Sequence, residues 1–295
     1  MKPTRSRHGG GGQRPPAPEA LPATVVDNHC HLDIADSEDG GWLSIDDALA
    51  EAAAVGVTRI VQIGCDLVGA RWAVDAASAY PSVVAGVALH PNEAPRLSAR
   101  GELDAALAEI AELAESPVVR AVGETGLDYF RTGPEGREAQ WYSFKTHIEL
   151  AKRLHKTLVI HDREAHADVL AVIDSEGAPQ RWVMHCFSGD AAFAREVVAR
   201  GAYVSFAGPV TFKNNHALRE ALVATPLERI LVETDAPYLT PMPYRGKPNA
   251  SYLIPLTMRV MAETLGVDLG DLCRQVEANT FAAFGGPWVG FGHSG

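Results

Sequence analysis

Thr24-Val25-Val26-Asp27-Asn28-His29-Cys30-His31 is a short β-branched run that ends in two histidines two positions apart. Apolar runs of this length suit strands buried on both faces of a parallel sheet. An open doubly wound sheet usually carries a glycine-rich nucleotide turn after its first strand. Here that place holds His-Cys-His. Seven similar runs follow, at 59–63, 83–89, 118–122, 157–160, 182–185, 203–206 and 229–232, counting the first as 24–28. Between them lie helical patterns such as 44–55, 102–114, 136–154, 191–199 and 217–224. Ser44 and Asp47 mark a helix start, and Gly56, Gly177 and Gly201 stand where helices end. Eight β/α units in one chain of this length predict a single-domain α/β protein, a (β/α)₈ barrel.

The chain has 295 residues, 46% of them hydrophobic, which is enough for one large core. The expected barrel covers 24–285. Residues 1–23, with a Gly9–Gly12 run and Pro15, Pro16 and Pro18, read as a disordered leader, and 286–295 as a loose tail. No run of about 18 apolar residues exists to cross a membrane, and the leader lacks the apolar segment of a secretion signal. The four cysteines stand far apart without a C-x-x-C pair, which fits reduced thiols and a cytoplasmic location. Net charge is −11, from 37 acidic and 26 basic residues. That argues against a protein that coats duplex DNA, which needs a basic face. It leaves open an enzyme that grips one or two phosphates locally.

The residue types at the strand ends carry the chemistry. His29 and His31 follow the first run, His90 the third, Glu124 the fourth, His161 the fifth, His185 the sixth and Asp235 the eighth. In a parallel barrel these ends open on one face, where the active sites of such barrels are built. His29 and His31, two apart on an extended chain, point to one side and Cys30 to the other. Each residue has a plainer reading alone: a core histidine, a chance pair, a capping aspartate. Together, four histidines and two carboxylates suit divalent metals and suffice for two ions, with Glu124 as the bridge. His90 either lines this site or packs beneath it. His147, His155, His166 and His216 read as surface residues.

Five blocks in this order resemble the TatD-like deoxyribonucleases, among the amidohydrolase-type metallohydrolases. They are Asp27-Asn28-His29-Cys30-His31-Leu32-Asp33, Gly123-Glu124-Thr125-Gly126-Leu127-Asp128, His161-Asp162-Arg163, His185-Cys186-Phe187-Ser188-Gly189 and Glu233-Thr234-Asp235-Ala236-Pro237-Tyr238-Leu239. The resemblance runs from about Thr24 to Gly285. It implies a TIM-type barrel with two divalent ions (Mg²⁺, Mn²⁺ or Zn²⁺). His29, His31 and Asp235 would hold one, His161 and His185 the other, and Glu124 both. It also implies hydrolysis of phosphodiesters, notably 3′ to 5′ removal of nucleotides from single-stranded or damaged DNA. Some relatives instead remove D-amino acids from mischarged tRNA, so a metal-dependent ester or amide hydrolase is the alternative. Two departures stand out. Thr125 occupies a position more often apolar in the family, and Ala250-Ser251 follow Asn249 where Glu-Pro is usual.

The expected mechanism is attack by a metal-activated water, with Asp235 as general base and Glu124 as the second catalytic carboxylate. Arg163, two positions beyond His161, is the expected phosphate grip, because a guanidinium matches phosphate in two-pronged fashion. His90, Lys213 and Arg245 are further candidate substrate contacts. The two cations, and Lys247 with them, read equally well as solvated surface charges. The expected partner is DNA, as a single strand or a 3′ end, with no membrane and no obligate protein partner.

Overall fold

A computed structural model describes residues 1–6, 12–36 and 42–291. Its eight apolar runs are eight parallel strands, each hydrogen-bonded to the next in chain order. They are β1 (Val25–Cys30), β2 (Val57–Gly64), β3 (Val83–Val87), β4 (Val119–Asp128), β5 (Thr157–Arg163), β6 (Trp182–Met184), β7 (Tyr203–Phe206) and β8 (Ile230–Val232). β4 and β5 extend past their apolar runs, through Asp128 and Arg163 respectively.

The seam between β8 and β1 closes by individual bonds rather than a regular ladder. Asp235 N–H donates to His29 O at 2.9 Å and His31 N–H to Ala236 O at 2.8 Å. The buried Asn28 amide donates to Val232 O at 2.6 Å and to Ser205 Oγ at 2.7 Å. The structure is a single-domain (β/α)₈ barrel.

Alternation along the strands builds two cores. Val26, Val61, Ile63, Val84, Val159, Val183 and Leu231 meet inside the barrel. Val25, Ile60, Val83, Leu158, Ile160 and Ile230 face outward against the helices. Both faces are apolar, so the strands read as near-continuous hydrophobic runs. Among the described residues ten α-helices cover the outside: α1 (Ile45–Ala54), α2 (Leu67–Ala79), α3 (Glu93–Ala99), α4 (Leu103–Ala114), α5 (Arg137–Leu154), α6 (His166–Glu176), α7 (Ala191–Ala199), α8 (His216–Ala224), α9 (Ile254–Leu265) and α10 (Leu269–Ala283). Ser44 caps α1 by accepting from Asp47 N–H at 3.1 Å, leaving one fewer orphan donor at that helix end.

The leader and tail differ from the loose segments expected of them. Arg5–Ser6 pairs in parallel with Ile34–Ala35, Leu21 N–H donates to Val55 O at 3.0 Å, and Pro15 O accepts from Tyr252 Oη at 2.6 Å. Trp288 is buried beside Phe281 and donates to Ser82 O at 3.1 Å, so the tail plugs the end of the barrel where the strands begin. In the described parts, apolar anchors (Leu21, Trp288) and satisfied backbone groups outweigh the Pro-rich composition. Residues 7–11 and 292–295, parts of the same two segments, lie outside the described residues.

Candidate metal centre

Two ladder irregularities set the site. The register shifts between Asp27 and Cys30 in β1, and between Val122 and Thr125 in β4. Such bulges re-aim side chains next to active sites. Glycines on both sides of Glu124 make the second one possible. A Cβ on Gly123 would lie 2.5 Å from the Val159 Cβ, and one on Gly126 would lie 2.1 Å from His161 O. Gly126 also has φ +133°, a conformation that favours glycine.

The result is that the two oxygens of Glu124 face different imidazoles. Oε1 is 3.6 Å from Nε2 of both His29 and His31. Oε2 is 2.8 Å from His185 Nε2, 3.2 Å from His161 Nδ1 and 3.6 Å from His90 Nε2. Asp235 Oδ1 completes the first set, 3.3 Å from His31 Nε2 and 3.7 Å from His29 Nε2. Asp235 sits at φ +53°, a left-handed conformation that aspartate tolerates better than most residues. The structure thus brings His29, His31, Glu124, His161, His185 and Asp235 together, with His90 at their edge.

Neighbouring groups fix which nitrogen faces inward. His31 Nδ1 is 2.9 Å from Ile63 O, and a carbonyl can only accept, so Nδ1 carries the proton and Nε2 faces the site. His185 Nδ1 is 3.3 Å from Glu233 Oε1, which also accepts from Cys186 N–H at 2.7 Å. His161 Nε2 is 3.3 Å from Asp128 Oδ2, an ion-pair approach without hydrogen-bond geometry, and its Nδ1 faces inward toward Glu124. Histidine ligands with the far nitrogen held by a carbonyl or carboxylate are the usual outer design of metal sites. His90 is different. Its Nδ1 accepts from Asn92 N–H at 3.0 Å, so the neutral ring carries its proton on Nε2, as a donor. Burial pushes its pKa down to about 3, which keeps it neutral.

Burial opposes charge throughout the cluster, and the neighbours decide the outcome. The Glu124 carboxyl is held well below the usual carboxylate range by His185 and by hydrogen bonding from His161 and His185. Asp235 is held down by His31, His29 and His185. His185 is raised well above its ordinary value by Glu124 and Glu233, and His31 by Cys65, Asp235 and Glu124. His29 goes the other way, lowered by burial and by His185. Both of its ring nitrogens are buried and lack a hydrogen-bond partner. Orphaned buried nitrogens beside two carboxylates are what a donor set for a cation looks like without the cation. His29, His31 and Asp235 form one triple whose atoms could hold an ion, and His29, Glu124 and His185 another.

The sequence reading missed several participants. Cys65 Sγ lies 3.1 Å from Glu124 Oε1. Asp27, fully buried, has its carboxyl pushed up to about 6 by burial, against four hydrogen bonds. It accepts from Thr234 Oγ1 at 2.6 Å and Ser251 Oγ at 2.8 Å, and so pins the segment carrying Asp235. Ser251, one of the departures noted above, belongs to this support. His147 is a correction. It is fully buried rather than at the surface, 3.1 Å from the other departure, Thr125, through Oγ1. Phe144, Ile148 and Ala151 flank it at helical spacing on the buried face of α5, a signal present in the sequence. His155 and His216 are exposed and His166 half-exposed, stacked on Phe193 with ring centroids 4.2 Å apart.

The expected substrate contacts lie at the rim. The Arg163 guanidinium packs 3.9 Å from the Phe130 ring centroid, and that of Arg245 4.4 Å from that of Phe212. Lys213 and Arg245 are exposed.

Residues 26–285 match the family model described as TatD related DNase. The chain belongs to the TatD family. An uncharacterized metal-dependent hydrolase TatD of Mycobacterium tuberculosis is 43% identical over 269 residues, 90% of this chain and 99% of that one. A 3′-5′ ssDNA/RNA exonuclease TatD of Citrobacter rodentium is 33% identical over 248 residues, 81% of this chain and 91% of its own. Among solved structures, the TatD homolog YjjV of Escherichia coli superposes with a TM-score of 0.80 at 26% identity, over 89% of this chain and 98% of that chain. The TatD match makes this a metal-dependent hydrolase by family. No helix among the described residues is long and apolar enough to cross a membrane.

Proposed function

We propose that this TatD-family chain is a divalent-metal-dependent exodeoxyribonuclease that removes nucleotides from the 3′ end of single-stranded or frayed DNA. The observation that carries this reading is the division of Glu124, with one oxygen toward His29 and His31 and the other toward His161 and His185. A bridging carboxylate between two imidazole sets is the donor arrangement of two-metal phosphodiester hydrolysis. The exonuclease activity for which the Citrobacter rodentium relative is named supports the choice of substrate.

His29, His31 and Asp235 would hold one ion, His161 and His185 the other, and Glu124 both. Bound there, divalent ions supply Lewis acidity toward a phosphoryl oxygen and lower the pKa of water. The protein's own groups do the rest. Asp235, kept ionised by His31 and His29, accepts the proton of the attacking water. His90 offers its Nε2 proton toward the same space and suits a phosphoryl oxygen. Arg163, with its guanidinium over the Phe130 ring, offers its N–H donors to phosphate. Lys213 and Arg245 provide positive charge at the rim for the following phosphates.

A 5′-labelled oligonucleotide and a circular single strand, each given to the metal-loaded protein, test this reading. Stepwise shortening of the first with survival of the second is expected. Cutting of the circle would replace the exonuclease with an endonuclease. Release of an amino acid from charged tRNA with no loss of nucleotides would move the reaction to a carboxylic ester.

A further inference from the structure

Phe130 is 56% exposed, unusual for a large apolar side chain. It stands two residues after Asp128, whose Oδ2 is 3.3 Å from His161 Nε2, so it rises from the wall of the metal centre. One face of its ring is covered by the Arg163 guanidinium, 3.9 Å from the centroid. Arg163 lies two residues beyond His161 on β5, and Tyr129 N–H donates to Arg163 O at 2.9 Å, which ties the two segments together. No carboxylate among the described residues pairs with the Arg163 side chain. A rigid ring, backed by a cation and open on its other face, is the construction on which unpaired bases stack.

We propose that Phe130 is the stacking platform for the terminal base of the substrate, with Arg163 at its back holding the adjoining phosphate. This inference rests on the nuclease reading and adds the origin of a preference for single strands. In a duplex the terminal base is stacked on its inner neighbour and paired along its edge. Turning it onto Phe130 with its phosphate beside Arg163 costs that pairing and stacking. The platform therefore favours single-stranded or frayed ends, and it is indifferent to base identity because every base has a π-face.

The test uses the full-length, metal-loaded protein and its Phe130→Ala, Phe130→Leu and Phe130→Trp variants. The probe is a single-stranded oligonucleotide with 2-aminopurine at its 3′ end and phosphorothioate links that slow cleavage. Binding to the native protein is expected to quench the 2-aminopurine by stacking. The Ala and Leu variants are expected to lose the quench and to raise KM on the unmodified strand about tenfold, with Trp restoring both. With an abasic 3′ residue the same penalty is expected to shrink to about twofold or less, since there is no base to stack. An unchanged quench in Phe130→Ala, no quench in the native protein, or an equal penalty with and without the base would overturn the proposal. The quench is read without turnover. A quench dependent on Phe130 in a protein that degrades no DNA therefore counts against the nuclease reading and for the platform.

Discussion

The imidazole rings of His29 and His185 stack face to face, 9° from parallel, with centroids 3.9 Å apart. His29 comes from β1 and His185 follows β6, so the contact joins the two halves of the site across the barrel mouth. Two protonated rings at that distance would repel strongly in a buried setting. His185 has Glu124 and Glu233 to hold its proton, while neither ring nitrogen of His29 makes a hydrogen bond among the described residues and burial keeps that ring neutral. A neutral imidazole with a free inward lone pair is ready for a cation.

Metal binding is accordingly expected to stabilise the fold. At a divalent ion concentration about 100-fold above Kd, the gain is about 2.7 kcal/mol, or several degrees in melting temperature. Thermal unfolding of metal-stripped protein with and without added ion measures this. In His29→Ala the rise should shrink, because the first donor set loses a member. A rise equal to that of the native protein would remove His29 from the ligands.

Asp235→Asn is expected to lower kcat at least about 100-fold with most of the metal still bound, since the amide keeps an oxygen donor and loses the base. Metal content by elemental analysis, measured beside turnover, checks both halves. Native turnover in this variant would take the general-base role from Asp235.

Gly126→Ala should be among the most damaging single changes. The added Cβ meets His161 O at 2.1 Å and the backbone sits at φ +133°. A loss of about 3 kcal/mol or more is expected in urea unfolding. A change under about 1 kcal/mol would mean that β4 and β5 can move apart, contrary to the rigid support assigned to Glu124 and His161.

His147 gives the acid response a sign. Burial lowers its pKa to about 4 from the ordinary 6.5. The unfolded chain then takes up the proton first as pH falls. The stability tied to neutral His147 is complete above about pH 6.5 and is lost as pH falls toward about 4, at most about 3 kcal/mol. Urea unfolding at pH 7.5 and pH 5 should show a smaller acid loss in His147→Asn than in the native protein. Equal losses would remove His147 as a contributor.

Much of this was legible in the sequence, for identifiable reasons. His29, His31, Glu124, His161, His185 and Asp235 are polar residues at the ends of apolar strands, where the topology itself gathers them, so strand counting found the cluster. Cys65 and Glu233 also follow strands, but a single thiol or carboxylate beside an apolar run carries no ligand pattern of its own. Asp27 hid inside a strand because its role, bonding Thr234 and Ser251 more than 200 residues away, exists only once the seam closes. His147 was misplaced because its residue type outweighed the helical period of Phe144, Ile148 and Ala151 that buries it. In the described parts of the leader and tail, Leu21 and Trp288 make contacts that no local pattern encodes.

If Glu124 joins two cation positions that together hydrolyse a phosphodiester, activity must depend on both the metal and this carboxylate. The direct measurement is loss of nucleotides from end-labelled single-stranded DNA by metal-stripped protein, with Mg²⁺, Mn²⁺ or Zn²⁺ restored singly, beside Glu124→Ala. No activity is expected without metal, with recovery on at least one ion and a loss in Glu124→Ala that no ion repairs. Activity in the stripped protein, or native rates in Glu124→Ala, would contradict it.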